Sequence, residues 1–271
     1  MKDRRIIVNS NCYHSYSVYD AADGIAGCGF HAVELTATKG WTEHAAPSMS
    51  LHELAAIASY IEKKGLEIPS MSGHVNLMDD QRIDDFLDNI RLAHFFGASI
   101  IVSSIGEAHL QDRQKGGIDT IKRNLDRVLP LLDRYGMNLV LETHGEHGTG
   151  TAIRDVVRQI DSPLVGICYD TANVIFYGGV KGTEDLEASA DWVRYVHIKD
   201  KAGEEKEWSF PALGKGYVDF PALLRVLDEH DNPSPLSIEI EFTQQGARDL
   251  DEVNQAVRDS AQYLISLGYA L

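Results

Sequence analysis

Residues 139–170 read LVLETHGEHGTGTAIRDVVRQIDSPLVGICYD. An apolar run ends in an acid at Glu142, a glycine-containing turn leads into a longer amphipathic stretch, and a second apolar run ends in another acid at Asp170. This is the sequence form of a strand, a crossover helix and a second strand parallel to the first. The same unit recurs outward from this stretch. Before it come RIIVNS near residue 6, HAVELT near 31, LEIPSMS near 66 and ASIIVSS near 98; after it come VRYVHIK near 193 and PLSIEIE near 235. With MNLVLET near 137 and LVGICYD near 164, the runs number eight.

Helical periodicity fills the intervals. Residues 51–64 place Leu54, Ile57, Ala58 and Ile61 on one face, residues 84–96 do so with Phe86, Leu87, Ile90 and Ala93, and residues 118–135 with Ile121, Leu125, Val128, Leu129 and Leu132. Apolar positions at i, i+3, i+4 and i+7 predict helices packed on one side. Gly65, Gly97 and Gly136 follow these stretches as C-terminal stops. Eight alternations of strand and helix predict a single (β/α)8 TIM barrel, an α/β fold, over residues 1–271. An open doubly wound sheet is the alternative, but no G-x-G-x-x-G follows the first run.

The ends of the last four runs carry Glu142, Asp170, His197 and Glu239. In a β/α barrel the C-terminal ends of the strands converge on one mouth, where active sites sit. A glutamate pointing into a barrel is costly unless it is paired or holds a metal. Three carboxylates and an imidazole suit one divalent metal ion: Mn²⁺, Mg²⁺, Co²⁺ or Zn²⁺. Taken singly, each residue has an ordinary explanation: an ion pair for the glutamates, a helix cap for Asp170, a hydrogen-bonded core residue for His197. The metal reading rests on the four together. Glu241 shares the parity of Glu239 and is the other candidate for the last ligand; Glu239 is preferred because it directly follows the apolar run.

The segments ICYDTAN, VHIKD, FPALGKGYVDFPALL and LSIEIE resemble the sugar-phosphate isomerase/epimerase family with the xylose-isomerase-like TIM barrel. The likeness extends from the first run to the last and is strongest from Glu142 onward. It implies one divalent metal held by Glu142, Asp170, His197 and Glu239. The family also resembles metal-dependent AP endonucleases. Two departures stand out. Many epimerases of the family carry His three residues after the aspartate ligand, where this chain has Asn173. The multi-zinc endonucleases need Asp-x-His before a late G-x-G turn, where this chain reads Phe210-Pro211-Ala212-Leu213-Gly214. Asp228-Glu229-His230 has the spacing but falls later, at the end of a predicted helix.

Further residues are expected near the mouth. His74, His144, Asn173 and Lys199 are candidate substrate contacts. Trp41 and Trp208, in loops after the second and seventh runs, would pack on a sugar face or serve as core aromatics. Gly145, Gly148 and Gly150 resemble a flexible or phosphate-cradling loop, although their spacing is loose.

Composition narrows the function classes. A formal net charge of −16 repels a phosphate backbone, so no nucleic-acid partner is expected. No stretch approaches the roughly 20 apolar residues of a membrane span, and the first residues lack the apolar core of a secretory signal. Three scattered cysteines, Cys12, Cys28 and Cys168, argue against a disulfide framework and for a reducing, cytoplasmic setting. Barrels of this family often pair, which makes a homodimer one expectation, although no heptad or long exposed apolar strip marks an interface.

The expected activity is isomerisation or epimerisation of a small sugar, ketose or polyol-derived hydroxy-carbonyl compound through an enediolate. Glu142 and Glu239 are the expected catalytic pair, one removing a proton beside the carbonyl and the other returning it. A dehydratase of the inosose or dehydroshikimate type is the alternative, since it begins with the same proton abstraction. A nuclease and a non-catalytic sugar-binding barrel are more distant rivals. No strong phosphate-binding motif separates phosphorylated from free substrates.

Overall fold

The computed structural model describes residues 4–106 and 115–271. Among them lie ten strands: β1 (Ile6–Asn9), β2 (Ala32–Thr36), β3 (Glu67–Ser72), β4 (Ile100–Ser103), β5 (Asn138–Glu142), β6 (Val165–Asp170), β7 (Val193–Ile198), β8 (Ser209–Phe210), β9 (Leu236–Ile238) and β10 (Phe242–Thr243). β1 to β7 and β9 form a closed parallel barrel, with β9 pairing back onto β1 through Leu236 opposite Ile6 and Ile238 opposite Val8. All eight apolar runs of the sequence are barrel strands. β8 and β10 make a separate antiparallel ribbon, Phe242 opposite Phe210.

The helices are α1 (Val18–Gly27), α2 (Leu51–Lys63), α3 (Ile83–Phe95), α4 (Ile118–Tyr135), α5 (Gly150–Ile160), α6 (Asn173–Phe176), α7 (Gly182–Glu187), α8 (Phe220–Glu229) and α9 (Leu250–Ser266). α2, α3 and α4 coincide with the three periodic stretches. Gly65, Gly97 and Gly136 follow them with φ of +75°, +79° and +64°, a left-handed conformation that costs glycine nothing. Ser17 with Asp20 and Ser50 with Glu53 form reciprocal capping boxes that start α1 and α2.

The large core lies between the strands and the helices. A second, smaller apolar cluster fills the barrel interior: Ile7, Ala32, Val102, Val140, Cys168 and Tyr195. This inner cluster fixes where the polar residues point, because side chains alternate along a strand. Two residues beyond Ala32, Val140, Cys168 and Tyr195 come Glu34, Glu142, Asp170 and His197, and all four are buried. The parity that packs the barrel floor therefore also stacks an ionisable layer above it.

The FPALGKGYVD segment is knitted to the strand ends by one carboxylate. Asp200 Oδ2 accepts from the backbone N–H groups of Gly214 (2.9 Å) and Gly216 (2.8 Å), and Oδ1 from Val218 (3.2 Å). A Cβ on residue 216 would lie 2.2 Å from the Lys201 carbonyl oxygen, so only glycine permits this approach. The three cysteines are free, as expected from their spacing. Among the described residues no helix is long and apolar enough to cross a membrane.

Candidate metal centre and cavity

Glu142 ends β5, Asp170 ends β6, His197 lies in the last turn of backbone of β7, and Glu239 immediately follows β9. Each offers one ligand atom within 4.8 Å of the others, and all four side chains are buried. Among the described residues, the chain thus brings together the four side chains that the sequence analysis singled out as one group. This buried cluster of carboxylates and imidazole could hold a metal ion. Asp170 shows why a cation fits. Its Oδ1 accepts from the backbone N–H groups of Ala172 and Asn173, both at 2.8 Å, while its Oδ2 is buried without a hydrogen-bond partner. A buried carboxylate oxygen left without a donor is expensive, and a cation is the group that would satisfy it.

The imidazole is held from both sides. His197 Nδ1 lies 2.7 Å from Glu142 Oε1 and 3.5 Å from Glu239 Oε2, whereas Nε2 lies 3.1 and 3.2 Å from the two oxygens of Glu34. Sequence reasoning missed Glu34. It also accepts from Ser72 Oγ (2.5 Å) and from Tyr195 OH (2.9 Å), and Tyr195, having given up its one hydrogen, accepts from Ser70 (2.6 Å). Burial opposes the charge on Glu34, but His197 and the hydroxyl donors outweigh it and hold the carboxyl below its usual range. Nε2 is therefore the donor to Glu34, which leaves Nδ1 facing the cluster.

Electrostatics follow from packing these charges together. Burial works against ionised Glu142, but His197 and His74 hold its carboxyl well below the usual range. Burial likewise disfavours the His197 imidazolium, yet the Cys168 thiol and the carboxylates of Glu34, Glu239 and Glu142 raise its pKa well above the ordinary value. Asp170 is pushed up to about 8, first by burial and then by repulsion from Glu142 and Glu239, with Lys199 partly offsetting both.

Above the cluster opens a small cavity of about 30 Å³. Glu142 and Glu239 reach its wall, together with all four candidate substrate contacts: His74, His144, Asn173 and Lys199. His74 Nε2 lies 2.8 Å from Glu142 Oε2, so both oxygens of that carboxylate have partners. Burial pushes His144 down to about 4, keeping its ring neutral. Lys199 is not a surface lysine. Its ammonium lies 2.5 Å from Glu241, 3.5 Å from Glu239 and 3.7 Å from Asp170, and 4.5 Å from the Phe210 ring centre. Burial opposes its charge, and Glu239 and Glu241 reverse that, raising its pKa well above normal. Of the two late glutamates, Glu239 completes the four-residue group and Glu241 is held by Lys199.

A second residue missed in the sequence is Asn11. Its Oδ1 accepts from Trp41 Nε1 (2.9 Å) and Thr42 Oγ1 (2.7 Å), which turns Nδ2 toward Glu239 (2.9 Å) and Glu241 (3.2 Å). Nothing in the sequence marks it, since the donors and acceptors that orient it come from other loops. Trp41 and Trp208 both line the cavity.

The glycines after β5 pack closely. A Cβ at Gly148 would meet the Tyr177 side chain at 2.6 Å and the Gly178 nitrogen at 2.8 Å. The N-terminus of α5, where a phosphate would bind, is already taken: Asp185 accepts from Gly150 N (2.6 Å), Thr151 N (3.1 Å) and Thr151 Oγ1 (2.9 Å). Asp185→Ala strips these donors of their partner and is expected to lower unfolding stability by about 2 kcal/mol. Equilibrium urea denaturation reads this directly, and an unchanged midpoint would refute the role of Asp185 as the cap.

Known proteins place this arrangement. Inosose dehydratase from Geobacillus kaustophilus is 26% identical over 220 residues, 69% of this chain and 71% of that one. A 3-oxo-isoapionate decarboxylase from Pectobacterium atrosepticum is 36% identical over 102 residues, 35% of this chain and 36% of that one. Among solved structures, D-allulose 3-epimerase from Methylomonas sp. superposes with a TM-score of 0.76 at 16% identity, covering 98% of each chain. The family profile described as xylose isomerase-like TIM barrel matches residues 23–267, nearly the whole barrel and all four residues of the buried cluster. With the closed parallel barrel already evident from the strand pairing, that match shows that the chain belongs to the xylose isomerase-like TIM barrel family.

Proposed function

We propose that this single-domain barrel, residues 1–271, is a divalent-metal-dependent sugar isomerase or epimerase that moves a proton at a carbon beside a carbonyl. The observation that carries this reading is that two buried carboxylates, Glu142 and Glu239, border one cavity and belong to the same possible metal-binding group. Glu142, Asp170, His197 and Glu239 would hold the ion, Mn²⁺, Mg²⁺, Co²⁺ or Zn²⁺. A bound divalent cation supplies Lewis acidity that favours ionisation of the neighbouring C–H.

The chain's own residues do the rest. Of Glu142 and Glu239, one accepts the proton and the other returns it, to the neighbouring carbon or the opposite face. His74 holds Glu142 in place by a hydrogen bond to Oε2, while Glu34 orients His197 through Nε2 and leaves Nδ1 toward the cluster. Asn11 orients Glu239 from the other side. Lys199, His144 and Asn173 line the cavity as contacts for substrate oxygens. The names of the similar proteins support the chemistry at a general level. Dehydration of a keto-polyol, decarboxylation of a 3-oxo acid and epimerisation next to a carbonyl all pass through an enolate or enediolate.

Dehydration is the second reading. The likeness to inosose dehydratase favours it. One experiment separates the readings. Metal content is measured on the purified protein, and a ketose and keto-inositol panel is then followed by proton NMR in D₂O. About one equivalent of metal, with deuterium entering beside the carbonyl at unchanged product mass, supports isomerisation or epimerisation. Loss of one water identifies a dehydratase. No metal and no exchange in folded protein sinks both.

A further inference from the structure

The cavity over the cluster holds about 30 Å³, the room of one water molecule and roughly a tenth of the smallest ordinary ligand pocket. A sugar-sized ligand therefore reaches Glu142 and Glu239 only if part of the wall moves. Space lies just outside. Asn11, Trp41, Trp208 and Glu241 line both the cavity and an outer groove of about 710 Å³, so the two indoles stand between the groove and the cluster.

The two tryptophans are held differently. Trp41 donates Nε1–H to Asn11 (2.9 Å) and stacks on His14 with ring centres 4.3 Å apart. Asn11 in turn bonds Glu239 at 2.9 Å, so displacing Trp41 would disturb the carboxylate itself. No hydrogen bond fixes the Trp208 indole among the described residues; it rests edge-on against Phe176 (5.6 Å) and Phe210 (5.1 Å).

Trp208 rides on residues 202–209, a segment whose ends meet: the Ala202 amide donates to the Ser209 carbonyl at 3.0 Å. Within it, Glu204 N–H donates to the Glu207 carboxylate and Glu207 N–H to the Glu204 carbonyl, both at 3.0 Å. At its base the buried Lys201 ammonium donates to the carbonyls of Ala202 and Glu204. A loop with joined ends and its own internal bonds can swing as a unit. Residues 203–207 are exposed, and little docks them. Lys206 Nζ donates to the carbonyls of Phe176 (2.6 Å) and Tyr177 (3.3 Å), where α6 ends. Glu205 of the same loop lines a separate hollow of about 550 Å³ beside Gly179, Lys181 and Tyr217, which gives the loop room to leave the mouth.

We infer that residues 202–209 are a lid, with Trp208 as the plug between groove and cavity and Lys206, on the carbonyls of Phe176 and Tyr177, as the latch. The inference rests on the reading that a substrate meets Glu142 and Glu239 in this cavity, but opening is measured without turnover.

Thr38 is buried and lines the cavity but not the groove. In a Thr38→Cys protein, N-ethylmaleimide is too large for a 30 Å³ space and reaches the new thiol only through an opening. Peptide mass spectrometry separates that thiol from Cys12, Cys28 and Cys168. Lys206→Met keeps the side-chain length and removes the latch, and is expected to raise the alkylation rate about five- to tenfold. Trp208→Gly, which removes the plug, is expected to raise it at least as much. A rate unchanged by Lys206→Met, or no alkylation in any of these proteins, overturns the inference. Should Thr38→Cys fail to fold, acrylamide quenching of tryptophan fluorescence is compared with and without Lys206→Met alone. Stronger quenching in the variant upholds the lid, and equal quenching overturns it. Proton exchange on the sugar panel is scored separately, so an opening lid without exchange sinks the reaction reading and leaves the lid standing.

Discussion

Glu142→Gln and Glu239→Gln are each expected to cut proton exchange at the carbon beside the carbonyl by about 10²- to 10⁴-fold. The substitution keeps the side-chain shape and leaves an amide oxygen facing the cluster, but it removes the group able to take or return a proton. The two variants should differ in how they fail. Glu142 accepts from His197 at 2.7 Å and His74 at 2.8 Å, so an amide in its place turns an NH₂ toward one of those rings and disturbs the cluster as well as the chemistry. Glu239 faces Asn11 at 2.9 Å and lies 3.5 Å from both Lys199 and His197, so its replacement removes a charge beside the imidazole but no close hydrogen bond to it. Metal titration run beside the exchange assay separates loss of binding from loss of proton transfer. Exchange within tenfold of the unaltered protein in both variants would remove the carboxylate pair from the mechanism.

Glu34→Gln is the second large effect. The two oxygens of Glu34 accept from three partners, His197 Nε2, Ser72 Oγ and Tyr195 OH. Glutamine has one acceptor oxygen, so it cannot serve all three, and its NH₂ would confront a hydroxyl or the ring N–H. Outer partners of a ligating histidine typically change metal affinity by about 10- to 100-fold. That weakening is the expected result, measured by calorimetric titration with Mn²⁺ on chelator-treated protein. Unaltered affinity in a folded variant would make Glu34 a purely structural residue.

Glu34 also shows where the sequence stops being legible. Glu142, Asp170 and Glu239 were found because each ends or directly follows an apolar run, and the ends of parallel barrel strands share one mouth. Glu34 obeys the same inward parity, two residues past Ala32, but it lies inside its run, with Leu35 and Thr36 after it. Its meaning comes from His197, 163 residues away, and only the closed barrel brings the two together. Lys199 was visible as a cavity candidate, yet whether it met solvent or Glu241 depended on how the chain turns after β9. The glycines after β5 pointed to a phosphate cradle because composition records flexibility and close packing alike. Asp185, on a different helix, decides between them by occupying the amides. Local periodicity thus told the fold almost completely, while the site was legible only where its residues mark strand ends.

The donor set has a consequence for how such a site would be filled. Three carboxylates and one imidazole contain no thiolate to select a soft metal, and they sit in a pocket with Glu34 and Glu241 close by and Lys199, His74 and His144 as neighbouring basic groups. Such a site attracts any small dication, and first-row affinities then follow a general chemical order rather than the needs of catalysis. The element found in a given preparation would therefore reflect that order together with what the host cell supplied during growth.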